Sequence, residues 1–332
     1  MASLDIFKDD AFSLVGLTNS INEQPHVPGR IGELGLFSED GINTLTIGVE
    51  KLGETLALVS SAERGSTQRN TKADKRTLID FRAVHLPDGA KILADEIQSV
   101  RAFGTETELQ TVEAIVAGRL AKIRRKIDAT IEYQRIGAIK GQVLDADGAT
   151  VLLDIFDRFG LTQQTKVMAL GTATTKVRTK VMEAKRLMED ALGNAMYRSA
   201  RVLCSASFFD AFTTHDNVEK FYLNYVQAAD LRNDVRGGFR FGDVFWEEYR
   251  GKVGAIDFIP DGKAYLIPEG VPDLFITKYA PADYVETVNT IGLPYYAKQE
   301  LMPMGKGVDI EAQSNPINLC TRPRAVIELS IS

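Results

Sequence analysis

Apolar residues recur at helical spacing over one long stretch of the chain. Steps of three or four residues separate seven aliphatic side chains: Leu109, Val112, Val116, Leu120, Ile123, Ile127 and Ile131. This is the period of one helical face. Thr105 and Glu108 match a capping box at the start, and Gly137 and Gly141 follow the last apolar position. The pattern predicts an α-helix over about 105–137, roughly 45 Å long. Its other faces carry cations, interpreted as solvated or interfacial: Arg119, Lys122, Arg124, Arg125 and Lys126.

Alternating patterns before this helix predict a long two-stranded ribbon. TLTIGVE (44–50) and TLALVSS (55–61) are typical of strands, with KLGE as the turn between them. A third run, 77–86, places Ile79, Phe81 and Ala83 on one face and ends at a turn over Pro87-Asp88-Gly89. Residues 55–86 therefore resemble a ribbon whose arms would each reach about 40 Å. Isolated hairpins are marginally stable in water, so the ribbon needs another surface to lie on.

The remaining patterns predict short elements of mixed type. Residues 1–45 lack sustained periodicity and are interpreted as an extended arm that packs on another surface. Two further helices are expected, at 174–196 and 207–225, and most other segments have the pattern of strands and hairpins: 141–156, 201–206, 238–251 and 324–332. Helices precede a run of strands without regular alternation, which predicts the α+β class.

Composition adds only broad limits. The 332 residues are 44% hydrophobic and 25% charged, with a formal net charge of −6, which is an ordinary globular composition. No apolar run approaches the roughly 18–20 residues that a membrane span needs, and MASLDIFKDDAF does not resemble a secretory signal. We therefore expect no membrane association, and an acidic chain does not favour a dedicated nucleic-acid reader.

No pattern points to catalysis or metal binding. The three histidines show none of the spacings typical of zinc sites. Cys204 and His215 could pair as thiol and imidazole, but the residues around Cys204 have the pattern of a core strand and no third orienting group is evident. DADG (145–148) has its glycine too early for a calcium loop and predicts a turn. We expect no catalytic, cofactor-binding or metal-binding residues, and no enzymatic activity.

The tip of the predicted ribbon, 61–76, is basic in an acidic chain. It has two anions, no aromatic residue and five cations: Arg64, Arg69, Lys72, Lys75 and Arg76. Binding of single-stranded nucleic acid usually interleaves cations with aromatic residues. A loop facing solvent or a protein partner is therefore the better interpretation.

Motifs in the last quarter of the chain resemble those of one protein family. IPDG (259–262), YAPADY (279–284) and QSNPINLCTRP (313–323) are its specific elements. Other segments agree in order along the chain: GRIGELGLFSEDGINTLTIGVE (29–50), LADEIQSVRAFG (93–104) and FRFGDVFWEEYRG (239–251). From about residue 12 onward, the chain resembles the lambda-type major capsid proteins of tailed phages, the phage major capsid protein E family.

The resemblance implies the tailed-phage major capsid fold named after Hong Kong 97. The expected parts are an N-terminal arm at 1–48, an extended β-hairpin loop at 49–90 and a peripheral domain at 91–162 containing a long spine helix. An axial domain at 163–305 and a return strand of the peripheral domain at 306–332 complete this division. The basic tip then becomes the end of an extended loop, and its five cations are expected to contact a neighbouring subunit.

The function implied is that of a major capsid protein, which assembles into hexamers and pentamers of an icosahedral shell around double-stranded DNA. Expected partners are other copies, a scaffold protein, a portal and a decoration protein, with weak non-specific contact to DNA. A separate scaffold is expected because the resemblance begins about a dozen residues after Met1. The expected location is the virion, after assembly in the host cytoplasm. Two alternatives remain at this stage: an encapsulin-like cellular nanocompartment shell, and a cytosolic hydrolase with a cryptic site.

Overall fold

The computed structural model describes residues 7, 9–24, 29–51, 77–98, 108–225 and 237–332. The α-helices within these ranges are α1 (Leu14–Glu23), α2 (Arg30–Leu34), α3 (Ala94–Gln98), α4 (Glu108–Lys140), α5 (Ile155–Phe159), α6 (Val177–Leu192), α7 (Ala206–Thr213) and α8 (Asp216–Tyr225).

The strands lie mostly in the second half of the chain. They are β1 (Phe37–Gly41), β2 (Thr46–Lys51), β3 (Thr77–Arg82), β4 (Leu86–Leu93), β5 (Gln142–Leu144), β6 (Val151–Asp154), β7 (Gln164–Val167), β8 (Ser199–Cys204), β9 (Phe239–Phe241), β10 (Val244–Glu248), β11 (Lys252–Val253), β12 (Ile256–Asp257), β13 (Lys263–Glu269), β14 (Phe275–Tyr279), β15 (Tyr296–Leu301), β16 (Gly307–Ser314), β17 (Pro316–Cys320) and β18 (Ile327–Ser330).

Three larger sheets organise the described residues. The largest has the order β7-β18-β13-β8-β10-β9 and mixes parallel with antiparallel pairs. The other two have three strands each, in the orders β1-β14-β17 and β15-β16-β4. Helix α4 packs against β4, β16 and β17 and so contacts both three-stranded sheets. The long helix is therefore the element that joins them.

Helix α4 buries the aliphatic stripe that predicted it. The side chains from Val112 onward along that stripe are all buried: Val112, Val116, Leu120, Ile123, Ile127 and Ile131. They pack with Ile92 of β4 and with Val308 and Ala312 of β16 in one apolar cluster. Burial of each such side chain is worth roughly 1.5–3 kcal/mol, so the stripe fixes the helix firmly on the sheet.

The end of α4 differs from the sequence expectation. The helix runs past Gly137 to Lys140, and Gly141 takes a φ of +87° immediately after it. Gly137 has a different role, since a Cβ there would lie 2.9 Å from the carbonyl oxygen of Gln142. The chain turns back tightly into β5, and only glycine allows that close approach.

Strand pairing at the root of the predicted ribbon also differs. Strand β2 pairs with β3, and Lys51 lies opposite Thr77 at the far end of the pair. The sequence predicted that 44–50 pairs with 55–61 through a turn at KLGE. The described partner of β2 is β3 instead, and 55–61 lies outside the described residues. Alternation alone could not choose between the two partners. Of the three residues expected on one face, Phe81 is buried, with its ring centroid 5.5 Å from that of Phe159.

Two other expected boundaries were wrong. Pro87, Asp88 and Gly89 lie within β4 instead of forming a turn. Strand β4 is an edge strand, where a proline without an N–H group is tolerated. The single helix expected at 207–225 is two helices, because the ring Nδ1 of His215 accepts a hydrogen bond from the N–H of Asn217 (3.2 Å) and begins α8 anew.

The C-terminal segment 306–332 contributes to all three larger sheets. Strand β16 pairs with β4 and β15, β17 pairs with β14, and β18 pairs with β13 and β7. It was expected as one return strand and is three strands in three sheets. The domain boundaries given above stay a prediction. In the described ranges, no helix has the length and apolarity that crossing a bilayer requires.

Lys140 ends the spine helix in a largely buried position. Its Nζ donates a hydrogen bond to the carbonyl oxygen of Phe258 (2.9 Å) and lies 5.9 Å from the ring centroid of Tyr133. Burial lowers the pKa of Lys140 to about 8, and the positive charge of Lys263 adds to this effect. Above that pH the folded chain holds the amine neutral while the unfolded chain still protonates it.

Replacing Lys140 with methionine should change how stability depends on pH. Because the folded pKa lies below the unfolded value, wild-type stability should rise relative to Lys140→Met between about pH 8 and pH 10.5, by up to roughly 3 kcal/mol. Urea unfolding of both proteins across this range measures the difference, with Lys91→Met as the control at an exposed lysine. A difference that stays constant with pH would contradict the assignment.

Candidate assembly surfaces

A polar stripe on α4, formed by Arg124, Asp128, Glu132 and Arg135, holds the two helices of the N-terminal arm, α1 and α2. Arg124 donates from Nη1 to the carbonyl oxygens of Ile21 (2.7 Å), Asn22 (3.0 Å) and Gln24 (2.6 Å). These carbonyls end α1, where the last C=O groups have no partner within the helix. A cation is also favoured there by the helix dipole. One guanidinium group therefore caps the arm helix from the spine helix.

The surroundings of Arg124 keep it in place. Its guanidinium lies 4.7 Å from the ring centroid of Tyr295, and the Tyr295 hydroxyl donates to Asp128. Burial and the neighbouring Asp128 carboxylate raise the pKa of Tyr295. At the other end of α1, the hydroxyl of Ser13 accepts a hydrogen bond from the N–H of Gly16 (3.1 Å). Both ends of the arm helix are thus capped by side chains.

About two helical turns further along α4 from Arg124, Glu132 holds the second arm helix, α2. The N–H of Ile31 donates to Glu132 Oε1 (2.7 Å), and the Tyr249 hydroxyl donates to the same oxygen (3.1 Å). A side chain at Gly29 would clash, since a Cβ there would lie 2.3 Å from Glu132 Cδ. The carboxylate is buried, and these two donors stabilise its charge.

Arg30 ties the arm to the largest sheet. Its Nη2 lies 2.8 Å from Oε2 of Glu247 in β10, and Arg201 in β8 lies 2.7 Å from the same oxygen. Glu247 is buried between these two guanidinium groups. The hydrogen bond to Glu247 raises the pKa of Arg30. The arm thus contacts α4 at two places and the largest sheet at a third.

Arg135 completes the stripe and fixes β1, the strand that follows α2. Its Nη2 lies 2.6 Å from Glu39, and its Nε donates to the Thr277 hydroxyl (3.3 Å). The Tyr279 hydroxyl also donates to Glu39 (2.9 Å). These contacts position the end of β1, from which the chain continues into β2 and the root of the ribbon.

The five cations predicted to meet a neighbour lie outside the described residues: Arg64, Arg69, Lys72, Lys75 and Arg76. The described root of the ribbon ends at Lys51 and Thr77, which face each other across β2 and β3. The segment 52–76 therefore leaves and re-enters the described chain at one end of a strand pair.

A groove of about 1030 Å³ lies on the sheet β15-β16-β4. Along these strands, apolar residues packed against α4 on one face of the sheet alternate with side chains that line the groove on the other face. The charged residues lining it are acidic in excess, with Lys91 and Lys298 against Asp88, Glu300, Asp309 and Glu311. Lys298 also pairs with Glu286 outside the groove (2.7 Å). This face can attract a basic segment.

Other cations of the predicted helix are also engaged. Arg119 lies 2.5 Å from Glu96, and Lys126 lies 2.8 Å from Asp88. The interpretation of these cations as solvated or interfacial was wrong for Arg124, which is buried within the subunit. The signal that could have revealed it is the spacing of Arg124, Asp128, Glu132 and Arg135, which places four charged residues along one side of the helix.

Cys204 and His215 have separate structural roles. Cys204 is fully buried in β8, and burial raises the pKa of its thiol. The ring of His215 is engaged by backbone groups on both sides, since Nε2 lies 3.2 Å from the carbonyl oxygen of Thr172 and Nδ1 accepts from Asn217. Within the part of the chain that the structure describes, no cluster of three metal-ligating side chains occurs.

Comparison with known proteins gives consistent matches over nearly the whole chain. A family model described as phage major capsid protein E matches residues 13–331. The major capsid proteins of Salmonella phage Felix O1 (isolate Felix O1-VT1) and Pseudomonas phage KPP10 are 27% and 28% identical to this chain, and each alignment covers 96% of both proteins. A crystal structure of a prophage capsid protein from E. coli CFT073 matches with a TM-score of 0.59 at 13% identity, covering 96% of this chain and 99% of that one.

Replacing Arg124 with methionine should release the arm. The substitution leaves three carbonyl oxygens without their donor, which should cost about 2–4 kcal/mol. Arg119→Met is the matched control, since it removes a partly exposed ion pair from the same helix and should cost less than about 1 kcal/mol. Hydrogen exchange should quicken in α1 for Arg124→Met and not for the control. Unchanged exchange in α1 would contradict the capping role.

Proposed function

The chain belongs to the phage major capsid protein E family, and from that premise we propose how its surfaces build a shell. It is a major capsid protein, a structural protein of the virion that assembles with copies of itself. The fold class expected from the sequence, the α+β tailed-phage capsid fold, is confirmed by the family match and the shared fold. The finer proposal is an icosahedral head of hexamers and pentamers enclosing double-stranded DNA, assembled in the host cytoplasm with a scaffold protein, a portal and a decoration protein.

The observation that carries the proposal is the register of β2 and β3. Because Lys51 faces Thr77, the 25 residues 52–76 start and finish at one end of a strand pair. If paired throughout, each half would span about 40 Å. In this proposal the segment extends over an adjacent subunit. Its five cations there contact acidic groups: Arg64, Arg69, Lys72, Lys75 and Arg76.

Charge supports this proposal. The chain as a whole carries −6 and the segment 61–76 carries +3, so the rest of the chain carries −9. The acidic groove on β15-β16-β4 is the acceptor that we propose, since it is open and lined by Asp88, Glu300, Asp309 and Glu311. Opposite charges at a subunit contact favour the correct partner and register.

The net negative charge also affects how the shell contacts packaged DNA. An acidic shell repels DNA phosphates, so contact with packaged DNA should be weak and non-specific. Neither alternative has comparable support. The family match favours a phage capsid over a nanocompartment shell, and the candidate thiol and imidazole of a hydrolase are each held in structural contacts.

Deleting residues 65–75 should leave a folded subunit that no longer closes shells. The deletion shortens the segment without touching the described core, so the melting temperature should stay within about 2 °C of wild type. Electron microscopy and light scattering of the purified protein, with a scaffold protein present, measure assembly.

A full-length variant separates the effect of the length of segment 52–76 from the effect of its charge. It replaces the five cations with glutamine, and shell yield should fall at least about tenfold if the contacts are electrostatic. The proposal is contradicted if the deleted protein unfolds, because the ribbon would then pack on its own subunit. Normal shells from both variants would contradict it equally.

A further inference from the structure

The loop 285–293, between β14 and β15, presents apolar side chains to solvent. Val285 is 88% exposed, Val288 64% and Ile291 70%. The polar Thr287 between them is buried, with 4% of its surface exposed. A surface loop of an isolated protein would usually expose its polar residue and bury its apolar ones, which is the reverse of what is seen here. Clustered exposed apolar residues are a mark of an interaction site.

The loop is held in one conformation by hydrogen bonds within it and to neighbouring residues. The Thr287 hydroxyl donates to the carbonyl oxygen of Ala282 (2.8 Å), and the Thr290 hydroxyl donates to that of Thr287 (2.7 Å). The N–H of Gly292 donates to the carbonyl oxygen of Ile42 (2.8 Å). The N–H of Leu293 donates to the Tyr296 hydroxyl (3.0 Å). Since the backbone is already ordered, binding would cost little conformational entropy.

The position of the loop indicates what covers it. It joins β15 at the edge of one three-stranded sheet and contacts the end of β1 at the edge of the other. Gly41, the last residue of β1, lies so close that a Cβ there would be 2.1 Å from the carbonyl oxygen of Gly292. The chain continues from there into β2 and the ribbon. The loop thus lies beside the edge strands of two sheets and beside the root of the ribbon.

The loop also adjoins the acidic groove. Tyr284, which precedes it, lines that groove and donates from its hydroxyl to Glu311 (3.3 Å). Glu286 within the loop pairs with Lys298, another lining residue (2.7 Å). The apolar loop and the groove are therefore one continuous surface.

We propose that the loop 285–293 is an apolar contact with a second copy of this chain. The inference rests on the proposed function, because in a shell one subunit thick the lateral margins of copies face each other. The occupant follows from continuity with the proposed ribbon surface and from the family's assembly into a shell of identical subunits. The apolar loop excludes water beside the charged contacts of the groove, as a central apolar patch does within a polar rim.

A charge placed on the loop tests the proposal. Val288→Asp should leave the melting temperature unchanged because the side chain is exposed, while the subunit concentration needed for half-maximal shell formation should rise at least about tenfold. Val288→Ile is the matched control, because it keeps the side chain apolar and β-branched, and it should stay within about threefold of wild type. Assembly of Val288→Asp at the wild-type concentration would overturn the proposal.

Thiol labelling gives a second readout that does not depend on impaired assembly. The native Cys204 and Cys320 are fully buried, so Val288→Cys supplies the accessible thiol among the described residues. A maleimide should modify it rapidly in free subunits and at least about tenfold more slowly in closed shells. Equal rates in the two states would overturn the inference. Failure of the wild-type protein to form shells would instead contradict the proposed function.

Discussion

Buried charges on the spine helix must be paired, and this constraint organises the N-terminal third of the protein. Arg124, Glu132 and Arg135 lie along one side of α4, and each is buried. An unpaired buried charge costs several kcal/mol, so each must find partners in the fold. Many of these partners come from α1, α2 and β1. The helix therefore uses its apolar stripe to fix itself on the sheet and its polar stripe to fix the arm.

This division of one helix explains how the short helices α1 and α2 are held in place. The arm helix α1 has only a few buried residues and would be marginal alone. The Arg124 cap holds α1 on α4, and the contacts of Arg30 and Ile31 hold α2. The same set of contacts places the end of β1, and with it the point from which β2 and β3 leave. The features that we propose to face other copies are thus positioned by α4, the helix that joins the two three-stranded sheets.

The sequence predicted the elements whose signal is local. The stripe of seven aliphatic residues identified α4, and alternation placed Phe81 on the same strand face as Ile79 and Ala83. Pairing partners were harder, because alternation in 44–50 fits β3 as well as a nearer strand. Pro87 was misread because its tolerance in β4 depends on that strand lying at an edge, which is a property of the whole sheet. Gly137 was taken as a helix end, although its requirement comes from the return of β5.

Among the candidate assembly surfaces, the sequence indicated the basic segment 61–76 but neither the contacts of Arg124 nor the exposed loop 285–293. Arg124 was grouped with solvated cations, since a single helix pattern does not show where a distant arm will lie. The loop 285–293 gave no signal either, because its apolar residues are ordinary for a strand-rich region and only the structure shows them turned outward. The family motifs predicted the fold class, whereas the contacts that form each surface could be identified only from the structure.

The most direct test of the account is a cryo-electron microscopy map of shells assembled from the purified protein. The account predicts closed icosahedral particles in which density for 52–76 runs from Lys51 and Thr77 across the groove of an adjacent subunit, with the loop 285–293 covered by a neighbouring copy. A protein that stays monomeric with its scaffold present would contradict it, and so would a map in which 52–76 packs on its own subunit.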